Sequence, residues 1–156
     1  MNYKELSVLK KTLPFINPIK GIHKLTLKRK VRYFISSLRS SQIYYLIYNN
    51  MYIGYMILEM GRGRYYKFSS RRDVLVSPIF IVDKFRNKGL SSMLYDKLPS
   101  KKNVFAIISA KNIASIKSFE KVGFTKVSFL TNSWLKIWLL SKKETDKLLY
   151  LRPKKK

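Results

Sequence analysis

A basic turn with one glycine joins an apolar run to a helical pattern, and this feature constrains the fold more than any other. Val74–Val82 is short, rich in β-branched residues and bounded by charge, which is typical of a buried strand. Beyond the turn, Leu90, Leu94 and Leu98 recur at helical spacing before Pro99 ends the pattern. The sequence therefore predicts a strand, a turn and a helix in direct succession.

The turn, Arg86–Ser91, has the composition of an anion-binding loop. The first amides of a helix have no acceptor within the helix, and the helix dipole adds positive potential there. Gly89 has no Cβ, so the backbone can approach a bound group closely. A pyrophosphate is the kind of ligand that such a turn accepts.

A second strand and helix follow the first pair. Asn103–Ser109 is a further strand-like run, and Asn112 is a good N-cap for the segment after it. Gly123 is placed to end that helix. Its apolar positions recur at helical spacing, namely Ile113, Ile116 and Phe119.

Two motifs, taken in this order and spacing, resemble the acetyl-CoA-binding halves of the GNAT family of N-acetyltransferases. They are Ile79-x-Ile81-x-x-x-x-Arg86-x-x-Gly89-x-Ser91 and Asn112-x-x-Ser115-x-x-x-Phe119-Glu-Lys-x-Gly123-Phe124. The resemblance covers residues 42–140 and implies an α/β fold with a mixed, mostly antiparallel sheet and helices on both faces. With 156 residues, the chain fits one such domain, residues 1–156, with a basic tail at about 152–156.

The rest of the chain adds further expected elements. Gln42–Tyr48 and Tyr52–Met60 are predicted strands of a hairpin around two asparagines, which tolerate positive φ. Lys24–Ser40 has an amphipathic pattern, which favours a helix packed on a sheet, with a membrane-surface helix as the alternative. Residues 3–9 fit a strand and a helix start equally well.

The C-terminal part predicts a second hairpin and a last helix. Lys126–Thr131 and Trp134–Leu140 are the expected strands, joined across Asn132–Ser133. Ser141–Glu144 has the spacing of a capping box, which predicts a helix over Lys142–Leu151.

The resemblance also implies how acetyl-CoA is held. In the family, the strand before the turn is splayed from its neighbour, its backbone binds the pantetheine arm, and one amide polarises the thioester carbonyl. Here that stretch is Ile79, Phe80 and Ile81. The positions of the pyrophosphate loop are Arg86, Asn87, Lys88, Gly89, Leu90, Ser91 and Ser92. Asn112, Ser115 and Phe119 complete the expected cofactor set, although helix capping alone would also explain Asn112.

Proton transfer is where the chain departs from many relatives. Phe119 stands where they have a tyrosine that is the proposed acid for the departing thiolate, and phenylalanine has no proton to give. Ser115 or water is then the candidate donor. Glu59 is the first candidate base and Asp73 the second, although the pattern favours an ordinary surface carboxylate at each position. No metal is expected, since the chain has no cysteine and one histidine, His23.

The charge of the chain points to an anionic acceptor. The formal net charge is +25, with 33 basic against 8 acidic residues. Such a surface repels polyamines and aminoglycosides and attracts a nucleotide-linked amino sugar or an acidic protein. In the family, the region of the basic loop Gly61–Asp73 borders the acceptor cleft. The alternatives are a solvated basic face, a protein N-acetyltransferase, and a non-catalytic GNAT-fold protein that binds CoA or nucleic acid.

The sequence also bears on location. No apolar run approaches the roughly 18 residues that a membrane span needs. The N-terminal residues lack the apolar core of a signal peptide. A cytoplasmic protein is therefore expected.

Overall fold

The structure, a computed structural model, describes residues 6–11, 41–60, 70–129 and 147–154. The strands are β1 Leu6–Lys11, β2 Ser41–Tyr48, β3 Met51–Met60, β4 Val74–Ile81, β5 Val104–Ser109, β6 Thr125–Phe129 and β7 Lys147–Arg152. The helices are α1 Ser91–Tyr95 and α2 Ile113–Lys121, and a 3-10 turn spans Asp83–Phe85.

The strands follow the order β1-β2-β3-β4-β5-β7-β6. The β4–β5 pair is parallel, and the pairs β1–β2, β2–β3, β5–β7 and β6–β7 are antiparallel. Strands interrupted by helices in this way form an α/β fold. The predicted mixed and mostly antiparallel sheet is confirmed.

The chain divides into two compact units. One comprises Met1–Glu59 and Pro78–Lys97, and the other comprises Met60–Ser77 and Leu98–Lys156. The strand β4 contributes its first residues to the second unit and its last residues to the first. That the whole chain acts as one domain stays a prediction.

In the first unit, β2 and β3 form the hairpin that the sequence predicts. Asn49 and Asn50 have φ of 47° and 57°, and two successive positive values are those of a type I′ turn. Tyr45 pairs with Tyr55 across the two strands. Asparagine tolerates this conformation, and a type I′ turn matches the twist of the two strands. The residues of the turn themselves therefore favour this hairpin.

Both faces of this sheet are buried. On one face an aromatic and aliphatic cluster contains Ile43, Tyr45, Tyr55, Ile57 and Phe80. The rings of Tyr45 and Tyr52 meet edge to face at 5.1 Å, and burial, with the nearby Tyr52, raises the pKa of Tyr45 to about 12. The residues that alternate with this cluster are also buried, namely Leu46, Met56 and Leu58. The helix α1 packs against β2 and buries Leu94 completely.

Gly54 brings the backbone of β3 unusually close to β4. A Cβ at Gly54 would lie 2.7 Å from the carbonyl oxygen of Phe80 and 3.2 Å from Cγ1 of Ile81. The amide of Val82 donates to the carbonyl of Ile53 at 2.9 Å, which continues the contact past the end of β4. Glycine is therefore needed here for close approach, and it fixes the path of the β4 backbone.

In the second unit, β5 and β7 are central. β4 pairs with β5 from Val74 to Val76, and Leu75, Phe105 and Leu149 form a core cluster. The β7 strand pairs with β5 on one side and β6 on the other. The helix α2 is joined to β7 by a bond from the Tyr150 hydroxyl to Glu120 at 3.2 Å.

The predicted last helix is wrong over its second half, because Lys147–Arg152 is a strand. Leu148, Leu149 and Tyr150 are all buried. A short apolar run of this kind fits a buried strand as well as a helix, and two neighbouring strands decide the outcome through their hydrogen bonds.

The other expectations divide as follows. Within the undecided segment 3–9, residues 6–9 belong to a strand, β1, and residues 3–5 lie outside the described residues. The strand β6 covers most of the first strand of the predicted second hairpin. The helix over 24–40, the loop residues 61–69, the strand over 134–140 and the capping box at 141–144 lie outside the described residues. Within the described ranges, no helix is both long and apolar enough to cross a bilayer.

The Gly54→Ala substitution tests the close approach of β3 to β4, because the direction of its effect on stability depends on whether the added methyl group clashes. Without a clash, replacing glycine by alanine in a strand interior stabilises a protein by about 0.5–1 kcal/mol. Contact with a backbone oxygen, which cannot rotate away, should instead destabilise the protein by about 1–3 kcal/mol. Urea unfolding monitored by circular dichroism measures the change, and an unchanged or raised midpoint would refute the close approach.

Candidate functional site

The loop after β4 is built on a short anchored turn. In the 3-10 turn, the amides of Phe85 and Arg86 donate to the carbonyls of Val82 and Asp83 at 2.8 and 3.0 Å. Phe85 is buried, and its ring meets the edge of Tyr48 at 5.8 Å. The loop therefore starts from a fixed point on the first unit.

Two residues of this loop have left-handed backbones. The φ angles of Asn87 and Gly89 are 60° and 71°, and both residues are exposed. The space beside Gly89 is open, since nothing lies within 4 Å of the position that a Cβ would take. The carbonyl of Gly89 accepts from the amide of Ser92 at 3.1 Å and from its hydroxyl at 2.7 Å. The loop is thus held on its helix side and open on the other.

Arg86 is tied to its own strand. Its Nε donates to the carbonyl of Ile81 at 2.9 Å, and its guanidinium pairs with Asp83 at 2.7 Å. The same guanidinium lies 5.6 Å from the ring centroid of Phe80. These contacts give Arg86 a positioning role, which holds the loop against the end of β4. The spacing of the motif alone does not reveal that role.

Two lysines flank the same aromatic ring. The ammonium groups of Lys84 and Lys88 lie 5.1 and 5.7 Å from the centroid of Phe85. Both lysines are exposed, and such cation–π contacts hold charge near the loop at little cost in hydration. Lys84 was not among the expected site residues, because its contact with the Phe85 ring is visible only in the structure.

The second motif lies on α2 in the second unit. Asn112 caps this helix, because its Oδ1 accepts from the amide of Ser115 at 3.1 Å. The cap uses the acceptor of the side chain, and Asn112 is exposed. Its Nδ2 donor is therefore compatible with a second role in ligand binding. Gly123 ends the helix with φ of 88°, as predicted.

Phe119 is a packing residue in this structure. It is buried, and its ring meets Phe124 edge to face at 4.9 Å and 89°. Ser115 is half-buried and lies one helical turn before Phe119 on the same face. The position of the absent tyrosine is thus filled by a ring that belongs to the core.

The two candidate bases have different surroundings. Glu59 is only 4% exposed, so its interpretation as a surface carboxylate is wrong. Asp73 accepts from the amide of Ser70 at 2.7 Å and from Nδ2 of Asn103 at 3.2 Å. Because both of its oxygens hold the local structure together, Asp73 is the weaker candidate for proton transfer.

The expected site residues fall into the two units. The first unit holds Ile79, Phe80, Ile81, the loop Arg86–Ser92 and Glu59, and the second holds Asn112, Ser115, Phe119 and Asp73. Within each unit, these residues lie on or beside the elements that the sequence predicts, except that α1 ends at Tyr95, whereas the predicted helical pattern continues to Leu98.

Comparison with known proteins identifies the fold. No family model matches the sequence, and no curated protein matches it. A GNAT family acetyltransferase from Elizabethkingia anophelis with acetyl-CoA bound matches at a TM-score of 0.66 and 16% identity, over 96% of this chain and 99% of that one. A GNAT acetyltransferase from Staphylococcus aureus Mu50 matches at 0.63 and 15%, over 96% and 99%. An N-acetyltransferase from the same strain matches at 0.59 and 22%, over 84% and 79%.

At these identities the likeness shows the fold, and this chain has the GNAT fold. The same structural class is therefore reached from two directions, from the motifs of the sequence and from the arrangement of its strands. A fold alone does not specify a reaction, so the activity has to be argued from the site.

Substitutions at Asn112 separate its two possible roles. Asn112→Asp keeps an oxygen for the Ser115 amide, and aspartate caps helices as well as asparagine does. It removes the Nδ2 donor and adds a negative charge, so CoA affinity should fall about tenfold, or about 1.4 kcal/mol, at unchanged stability. Calorimetric titration with CoA and thermal unfolding measure the two quantities.

Asn112→Ala is the control for the cap. It removes both groups and should lower CoA affinity and also stability, the latter by about 1 kcal/mol. Wild-type CoA affinity in Asn112→Asp would show that Asn112 is a cap only.

Proposed function

We propose that this protein is an N-acetyltransferase that uses acetyl-CoA as its acetyl donor. The observation that carries the proposal is the open loop Arg86–Ser92, which contains two left-handed residues and follows β4 through a 3-10 turn in a GNAT fold. A neighbour with this fold, the enzyme from Elizabethkingia anophelis, is described with acetyl-CoA bound.

The loop suits a pyrophosphate by its shape and its charge. The open space at Gly89 allows close approach of phosphate oxygens to the backbone. Successive amides in a turn with left-handed residues form a concave anion site. Lys84 and Lys88 add positive charge beside it. The residues present therefore fit the charged half of the donor.

In this proposal the acetyl group passes directly to the acceptor. The amine nitrogen attacks the thioester carbonyl, the carbon–sulfur bond breaks, and CoA leaves as a thiolate. The β4 backbone at Ile79–Ile81 supplies the donor that stabilises the developing oxyanion. Holding the two reactants together accounts for much of the rate without strong acid–base catalysis.

Proton transfer is the weaker part of the chemistry. Since Phe119 has no proton, the thiolate takes one from water or from the Ser115 hydroxyl, and a thiol pKa of about 8.5 makes it a fair leaving group. Glu59 is the candidate acceptor of the amine proton. Because it is buried, it would act through water rather than by direct contact.

The proposed acceptor is an amine on an anionic molecule, such as a nucleotide-linked amino sugar. The net charge of +25 raises the local concentration of anions and speeds their arrival. The same positive field repels amines that carry a net positive charge. Acetylation of an acidic protein rests on the same argument and is the second acceptor class.

Gly89→Asp tests the loop as the donor site. It places a negative side chain beside the proposed pyrophosphate, and CoA affinity should fall more than tenfold. Gly89→Asn is the matched control, because asparagine has nearly the same size and the same tolerance of positive φ. Calorimetric titration with CoA is the measurement.

The difference between the two variants isolates the charge. If Gly89→Asp and Gly89→Asn bind CoA equally, the loop does not hold the pyrophosphate. If both retain wild-type affinity, the donor site lies elsewhere.

Acceptor choice is tested by salt dependence at a saturating acetyl-CoA concentration. Exposed charges are screened over about 8–10 Å at physiological salt. The kcat/KM for a nucleotide-linked amino sugar should therefore fall several-fold as salt rises, whereas that for the free amino sugar should not. Equal kcat/KM for the two forms at all salt concentrations would contradict an anionic acceptor.

A further inference from the structure

Three chain segments of the second unit meet at one end of its sheet. They are the turn before β4, the turn before β5 and the residues after β7. Asp73 and Asn103 join them, because Asn103 donates through Nδ2 to Asp73 at 3.2 Å and accepts at Oδ1 from the amide of Lys154 at 3.1 Å. The amide of Val74 also donates to the Asn103 carbonyl at 3.0 Å.

Each of these segments carries positive charge. We call the five residues the basic edge, and they are Arg71, Arg72, Lys101, Lys102 and Lys154. All five are exposed, and each lies within two residues of the Asp73–Asn103–Lys154 connection. No ion pair within the described ranges involves any of them. Asp73, the acidic residue at this place, has both oxygens engaged in hydrogen bonds.

The basic edge is held in place by the structure around it. The Arg72 amide donates to Oγ of Ser70 at 3.2 Å, within the turn that Asp73 caps. Arg152 donates to the carbonyls of Leu98 and Pro99 at 3.4 and 3.3 Å. The segment that carries Lys101 and Lys102 is therefore held at both of its ends, so its backbone is in place before any partner binds.

We propose that the basic edge binds the phosphodiester backbone of a double-stranded nucleic acid, without reading its sequence. Five cations beside the ends of adjoining strands, which lie about 4.8 Å apart across a sheet, match a partner with dense and regular negative charge. A duplex presents one charge per about 1.7 Å of its axis. The protein pI of about 10.3 is the footprint of such binding.

The composition of the edge favours this partner over the others. The residues that flank the Arg71–Arg72 and Lys101–Lys102 pairs are polar, namely Ser70, Asp73, Ser100 and Asn103. Surface binding to membranes uses an apolar side that enters the headgroup region, whereas among the described residues beside the cations only Pro153 is both apolar and exposed. The described residues of the edge also include no aromatic side chain on which the bases of a single strand could stack, which favours contacts to a duplex backbone.

The test compares two four-fold variants that lose the same charge. The edge variant is Arg71→Gln, Arg72→Gln, Lys101→Gln and Lys102→Gln. The control variant is Lys10→Gln, Lys97→Gln, Lys117→Gln and Lys121→Gln, all exposed and outside the edge. Fluorescence anisotropy with a labelled DNA duplex of about 20 base pairs, repeated with an RNA duplex, measures affinity across salt concentrations. Circular dichroism verifies that both variants are folded.

The salt slope decides the result. Each phosphate contact contributes about 0.9 to the slope of log K against log salt for duplex DNA. Because it removes four cations, the edge variant should lose between about three and four units of slope and more than tenfold in affinity at low salt, whereas the control variant should stay close to wild type. Similar losses in both variants would overturn the proposal, since they would show attraction by net charge alone.

Two further probes identify the partner class. Phosphatidylcholine vesicles with about 30% phosphatidylserine test a membrane surface, and polyglutamate tests an acidic protein. Edge-dependent binding to either probe, with no duplex binding by the wild type, would overturn the proposal in favour of that class. Because these experiments contain no acetyl-CoA and measure no acetyl transfer, their outcome is separate from that of the proposed enzymatic function.

Discussion

The candidate donor site depends on the close approach of two backbones in the first unit. Gly54 lets β3 lie against Phe80 of β4, where any side chain would meet the carbonyl oxygen at 2.7 Å. Because that contact and the Val82 bond to Ile53 fix the end of β4, they also fix where the loop begins. The Arg86 guanidinium then joins the loop back to the strand. The position of the loop is thus determined by the sheet.

Positive charge has different physical roles in different parts of the chain. Arg86 is engaged with Asp83 and the β4 backbone, and Arg152 is partly buried against two carbonyls. Both are positioning residues whose charge is already used. Lys84 and Lys88 lie over one aromatic ring, available to a ligand. The net charge therefore predicts ligand binding poorly until the cations that are engaged within the protein are distinguished from those that are exposed.

Elements with a local signal were predicted from the sequence, and those that depend on distant partners were not. The Asn49 turn and the Asn112 cap have side chains that set the backbone beside them, and both are confirmed. The strand β7 was expected as a helix, because its apolar run fits both and its neighbours lie far away in sequence. Burial of Glu59 and the contacts of Arg86 likewise arise from the packed sheet. No local pattern could have revealed them.

We propose that the Arg86–Ser92 loop binds the pyrophosphate of acetyl-CoA. Amide NMR of the whole protein, titrated with CoA and separately with pantetheine, tests it most directly. We expect saturable shifts at the Gly89, Leu90 and Ser91 amides with CoA, and no shifts of these amides with pantetheine, which has no phosphate. Saturable shifts elsewhere with these amides unchanged, or no shifts with CoA, would contradict it.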